Sequence, residues 1–179
     1  FLNMNRNKRS IALDLKQAGG KRALRRLIET ADVLVHNMRP KAIARLGFAY
    51  DDVKAIKPDI VYCGCYGFSQ RGPYADKPAY DDLIQACSGL ADLFRNVANE
   101  PNYAPTVMVD KLTGLMMSQA VTTALLHRER TGEGQYVEVP MYETMVSFLM
   151  VEHIYEHAFE PPLGPLGYRR LTTPLRRPH

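Results

Sequence analysis

Two short apolar runs, V-L-V at 33–35 and I-V-Y-C-G-C at 60–65, constrain the fold more than any other feature of the chain. A strand with one solvated face alternates apolar and polar residues, whereas a run that does not alternate needs cover on both faces. The surrounding sequence supplies that cover. Lys21–Thr30 sets Ala23, Leu24, Leu27 and Ile28 against Arg22, Arg25 and Arg26, which predicts an amphipathic helix. Pro40 opens a second helix over Lys41–Leu46 that Gly47 closes, and Asp51 and Asp52 introduce a third over Tyr50–Ile56. Upstream, the alternation in I-A-L-D-L predicts a short strand at Ser10–Leu15, followed by a turn at Lys16–Gly20. With buried strands at Asp32–His36 and Ile60–Cys65, the order β-α-β-α-α-β points to an α/β fold, a parallel sheet covered by helices. Ligands of such sheets sit beyond the carboxyl ends of the strands, so Lys16, Asn37-Met38 and Tyr66-Gly67-Phe68 are expected to converge.

The second half is organised around a long helix predicted over Met108–Arg130. Leu112, Leu115, Met116, Gln119, Ala120, Thr123, Leu126 and His127 recur on one face, and the His127–Arg130 tail suits the negative end of the helix dipole. Asp110 falls where an N-cap is expected, so capping is its plainest role. Before this helix, Ser69–Pro78 reads as a surface loop and Tyr80–Phe94 as a helix that Gly89 weakens without abolishing. Asn96–Pro105 reads as a polar excursion. After it, Gln135–Val139 fits an edge or half-exposed strand, and Pro140 opens a final helix over Met141–His157.

Composition narrows the function. The 179 residues are 46% hydrophobic, enough for one sizeable core, and 23 Lys+Arg against 19 Asp+Glu leave a net charge of +4. That scattered surplus suits a phosphate-bearing ligand better than a nucleic-acid groove, so no nucleic-acid partner is expected. Cys63, Cys65 and Cys87 lack a second Cys/His pair at zinc spacing and read as reduced, buried thiols of a cytoplasmic protein. No apolar run reaches the ~18 residues of a membrane span, so no membrane partner is expected either. The opening F-L-N-M-N-R-N and the closing T-T-P-L-R-R-P-H read as the cut ends of an internal piece.

Familiar catalytic and nucleotide motifs are missing. There is no G-x-G-x-x-G, no P-loop, no G-x-S-x-G elbow and no H-E-x-x-H. His153 and His157 stand at i and i+4, but no third ligand is indicated, and no metal is expected. Tyr80-Asp81-Asp82 reads either as a site or as a helix start.

Six ordered segments carry a more specific signal. N-R-N-K-R-S-I-A-L-D-L-K (5–16), A-D-V-L-V-H-N-M-R-P (31–40), R-L-G-F (45–48), Y-D-D-L-I-Q-A-C-S-G (80–89), V-D-K-L-T-G (109–114) and R-E-R-T-G-E-G-Q-Y-V-E-V-P-M (128–141) resemble successive signatures of the class III, CaiB/BaiF-type CoA-transferases. The resemblance implies a Rossmann-like large domain over 1–160, with 161–179 beginning a linker towards a small domain, in an interlaced homodimer. It implies that Asp110 is the catalytic aspartate. It places Leu13, Lys16, Asn37, Met38 and Arg45 against coenzyme A, the co-substrate, and Tyr80, Asp81 and Met141 near the thioester. The first β-α unit of the CoA site and a glycine-rich active-site loop would then lie outside this stretch.

The implied activity is transfer of CoA from an acyl-CoA to a carboxylic acid. The nearest alternative within the family is an α-methylacyl-CoA racemase, and another is a CoA-binding fragment without catalysis. Racemase relatives have a histidine where this chain has Tyr80, and tyrosine as a residue type gives up its proton only near pH ~10, which favours transfer.

Overall fold

The computed structural model describes residues 3–95, 99–173 and 175–176. Helix α1 spans Ala18–Glu29, strand β1 Val33–His36, α2 Pro40–Leu46, α3 Tyr50–Ile56 and β2 Val61–Tyr66. Then come α4 (Asp81–Cys87), α5 (Leu90–Leu93), the long α6 (Met108–Thr131), β3 (Tyr136–Pro140), α7 (Met141–Ile154), a 3-10 turn at Tyr155–Ala158 and α8 (Arg169–Thr172). Terminators act as their chemistry requires: Gly47 and Gly132 close α2 and α6 in the left-handed conformation, at φ 81° and 77°.

The three strands form a parallel sheet in the order β1-β2-β3, with Val33 opposite Val61 and Tyr62 opposite Tyr136. β2 lies in the middle, which explains its unbroken apolar run. One core, of Ile28, Ile43, Phe48, Val53, Ile60 and Tyr62, joins α1, α2 and α3 to the sheet. The other, of Phe68, Ile84, Leu90, Val109, Met145 and Leu149, gathers α4, α5, α6 and α7. The carboxyl ends of β1 and β2 open between these two halves.

Several expectations are corrected. Ser10–Leu15 is coil, because no strand among the described residues pairs with it and an extended segment without a ladder has nothing to hold it. β1 is half-exposed rather than buried, with Val35 keeping 48% exposure at a sheet edge. Gly89 breaks the predicted Tyr80–Phe94 helix outright: at φ 85° it ends one helix and starts the next. The final helix stops at Ile154, where Tyr155 turns to φ 43°.

The inward face of α6 is not the predicted one either. It runs through Val109, Thr113 and Ala124, while Leu115 (71% exposed), Met116 and Leu126 face outward. Small residues at Thr113 and Ala124 let the helix lie close to its neighbours. Of the cysteines, Cys63 is buried, Cys65 half-buried and Cys87 exposed; all three are thiols. Part of the Asn96–Pro105 excursion, at 96–98, lies outside the described residues, as do 174 and 177–179 of the expected linker.

Candidate active site

A cavity of about 620 Å³ opens at the carboxyl end of the sheet. Asn37, Tyr66, Gly67, Tyr80, Asp110 and Met141 all line it, so four of the nine predicted site residues meet there with the tip of β2. Each arrives for a local reason. Asn37 follows β1, Tyr66 ends β2, Met141 begins the helix that Pro140 introduces, and Asp110 sits in the first turn of α6.

The helix cap is not Asp110. Val107 occupies the cap position with no side-chain hydrogen bond of its own, which makes Asp110 the third helical residue. The missing acceptor comes from another helix: Asp81 Oδ1 accepts the Asp110 backbone N–H at 3.0 Å. Asp81 Oδ2 accepts from Gln85 Nε2 at 2.6 Å, and Gln85 Oε1 accepts from the Ala104 N–H at 2.9 Å. Asp81 (7% exposed) and Gln85 are buried, so this chain of bonds ties α4 to the start of α6 in surroundings where an unpaired polar group is costly. It leaves the Asp110 carboxylate at the cavity with no side-chain hydrogen bond or ion pair among the described residues. Partial burial, and secondarily the negative charge of Asp81, hold the Asp110 carboxyl above its ordinary pKa.

The walls carry further polar groups. His36 Nδ1 accepts the Met38 N–H at 3.2 Å, which assigns the ring proton of the neutral imidazole to Nε2; that nitrogen is buried with no hydrogen-bond partner. Burial lowers the His36 pKa, which the Met38 bond only partly opposes. Thr113 Oγ1 is a second buried group without a partner, whereas Thr122, Thr123 and Thr131 of the same helix donate to carbonyls one turn back. Both His36 and Thr113 belong to the cavity lining.

The other predicted residues lie apart from it. Lys16 and Arg45 are exposed, Leu13 is half-buried in coil, Met38 packs on the first core, and Asp81 stands behind Asp110 rather than at the surface of the cavity. The cations that do line the cavity are Arg39 and Lys77, which periodicity could not single out because neither lies on an amphipathic face. Glu138 and Glu143 do not line it but accept the N–H groups of Gln70 and Ser69 in its loop wall, and the sequence does not single them out either. Their signal was faint: a carboxylate in a half-buried strand, and another in the first turn of the next helix.

Among the described residues no helix is long and apolar enough to cross a membrane, and no group of three or more His, Cys, Asp and Glu side chains could hold a metal ion.

The sequence and the fold both recur in known proteins. The model of CoA-transferase family III matches residues 1–178. The chain belongs to that family. It is 34% identical over 160 residues to the succinate–glutarate CoA-transferase of Agrobacterium fabrum, covering 89% of this chain and 40% of that protein. To the acetyl-CoA:oxalate CoA-transferase of Acetobacter aceti it is 37% identical over 150 residues, covering 83% and 39%. The crystal structure of a CaiB/BaiF family protein from Brucella suis superposes with a TM-score of 0.82 at 33% identity, over 92% of this chain and 44% of that one. This family member thus spans about two fifths of the length of the curated relatives it matches.

Proposed function

We propose that this chain carries the nucleophile and part of the thioester pocket of an acyl-CoA:carboxylate CoA-transferase, with Asp110 as the nucleophile. The observation that carries the reading is the Asp110 carboxylate: it faces the cavity while its own backbone N–H is held by Asp81, so the side chain is committed to no structural bond that would compete with attack. In this reading the carboxylate oxygen attacks the thioester carbonyl carbon, the C–S bond breaks, and a mixed anhydride forms with release of the CoA thiolate. The thiolate then attacks the aspartyl carbonyl, giving an aspartyl-CoA thioester and freeing the donor acid. An acceptor carboxylate repeats the two steps in reverse and leaves with CoA, regenerating Asp110.

Electrostatics are compatible with both needs of such a nucleophile. The first turn of a helix stabilises its anion, and a thioester bound in the cavity would strip water from the exposed carboxylate. Arg39 and Lys77 on the walls supply positive charge for an anionic substrate. The 75% exposure of Tyr80 at the cavity supports a role in lining the thioester over one of shuttling a proton in a dry site. The carboxylates named by the relatives, succinate, glutarate and oxalate, make a small dicarboxylate the first acceptor to try. The intact protein is read as an interlaced cytoplasmic homodimer, as the family resemblance implies.

The test is Asp110→Asn in the intact protein, assayed with succinyl-CoA and glutarate. An amide cannot form the anhydride, so glutaryl-CoA formation should fall by at least about a thousandfold, and the mass of the wild-type protein quenched with succinyl-CoA should show a CoA adduct that the variant lacks. Retention of more than a few percent of the wild-type rate would remove Asp110 from the role.

A further inference from the structure

The wall of the cavity opposite α6 is a loop, and two glutamates outside the assigned site hold it. Residues 67–79 leave the tip of β2 and return to it. At the neck of the loop a Cβ on Gly67 would overlap that of Ala79, so the two strands of the loop touch there and only glycine fits. Gly67, Gln70, Ala75, Lys77, Pro78 and Ala79 face the cavity. Turn-forming residues such as Gly72, Pro73 and Pro78 give this segment no ladder of its own.

What fixes it is the junction of β3 and α7. The Gly67 carbonyl accepts the Tyr142 N–H at 3.0 Å. The Ser69 N–H donates to both carboxylate oxygens of Glu143, at 3.0 and 3.1 Å, and the Gln70 N–H donates to Glu138 Oε1 at 2.8 Å. Glu138 is itself steered from its other side, since Tyr136 Oη stands 3.5 Å from Oε2 and 3.2 Å from Tyr66 Oη. Two successive backbone donors are therefore taken by two charged acceptors that come from elements about 70 residues later. Gln70 extends the hold by donating its side chain to the Phe68 and Ala75 carbonyls. Met141, which lines the cavity, lies between these two glutamates in sequence.

We infer that Glu138 and Glu143 are positioning residues of the thioester pocket: their carboxylates clamp the backbone of Ser69 and Gln70 and so set the loop wall that the acyl-CoA packs against. The inference rests on the transferase reading for the identity of the substrate, but not for the clamp itself. Neither glutamate touches the reacting atoms. Their loss should weaken substrate binding and leave the Asp110 chemistry running.

The experiment uses the intact protein with Glu143→Ala and Glu143→Gln. Trypsin cleavage after Arg71, inside the clamped loop, reports the clamp directly, because Lys77 is followed by proline and resists the enzyme. Losing charged acceptors of a backbone N–H should speed that cleavage about tenfold in Glu143→Ala. In the same variant the KM for succinyl-CoA should rise about tenfold while kcat stays within about twofold of wild type. Glu143→Gln keeps one acceptor oxygen and should restore both readouts to within about threefold of wild type.

Equal cleavage in wild type and Glu143→Ala would overturn the clamp. Faster cleavage with KM unchanged would reduce it to a structural prop and overturn the positioning role. A wild type that transfers no CoA between any pair of succinate, glutarate and oxalate would instead sink the transferase reading, with the clamp then decided by the Arg71 cleavage alone.

Discussion

Asp110 must be ionised to act as a nucleophile, and its neighbour works against that. Asp81 holds the Asp110 backbone with one oxygen while its charge helps raise the Asp110 pKa. Asp81→Asn separates the two effects. The asparagine carbonyl can still accept the Asp110 N–H, but the amide that replaces Oδ2 meets the Gln85 donor head-on. The buried mismatch should lower stability by roughly 1–3 kcal/mol. With the charge gone, the Asp110 pKa should move down towards the ordinary aspartate range. Because activity needs the carboxylate form, the acid limb of kcat/KM against pH should shift to lower pH in this variant. A limb that stayed in place, or moved up, would show that Asp81 does not sense the charge on Asp110.

At the scale of the element, α6 contains a residue that its helix does not want. Gly114 lies one turn after Asp110, has no positive φ, and a Cβ placed on it would meet no atom within 4 Å. Gly114→Ala should therefore stabilise the protein by up to about 1 kcal/mol in denaturant titration, since alanine is the better helix former. The added methyl enters the cavity, so the same variant should bind acyl-CoA less tightly; unchanged binding would mean that substrate never approaches that turn.

Elements of this kind show what the sequence made legible. The unbroken apolar run of β2, the closing Gly47 and the length of α6 follow from local chemistry and stand in the structure. Ser10–Leu15 did not, because alternation describes a strand only if a neighbour exists to pair with it. The inward face of α6 was misread for a related reason. Hydrophobicity selected Leu115 and Leu126, whereas packing selected small residues that let the backbone approach. The candidate site followed the same division: Asp110 and Tyr80 were expected from the resemblance and both line the cavity, but the Asp81 and Glu143 bonds span 29 and 74 residues and no spacing rule reaches across them.

At the scale of the molecule, α6 is a beam fixed at both ends. Its 24 residues extend about 36 Å at 1.5 Å per residue, from the cavity to the opposite end of the sheet. At the cavity end Asp81 holds it. At the far end Arg128, only 17% exposed at its side chain, donates from Nη2 to Asp32 Oδ1 at 2.8 Å and from Nη1 to the Asp32 carbonyl at 3.2 Å. Asp59 stands 3.8 Å from the same guanidinium. Asp32 precedes β1 and Asp59 precedes β2, so one side chain ties the end of the helix to the start of both strands.

The two anchors should be separable. Arg128→Ala removes bonds to solvent-accessible acceptors, and a loss of about 1 kcal/mol is expected. Part of it should depend on pH in a defined direction. Asp59 has its pKa lowered, first by the Lys57 hydrogen bond and in smaller part by Arg128, so its stabilisation is present above pH 3.8 and fades as pH falls through the lowered folded-state value. The wild-type advantage over Arg128→Ala in thermal midpoint should shrink across that acid window. Catalysis should barely notice: with the Asp81 anchor intact, kcat is expected to stay within about twofold of wild type. A large fall in kcat with little loss of stability would mean instead that displacement of the far end travels the length of the helix to Asp110.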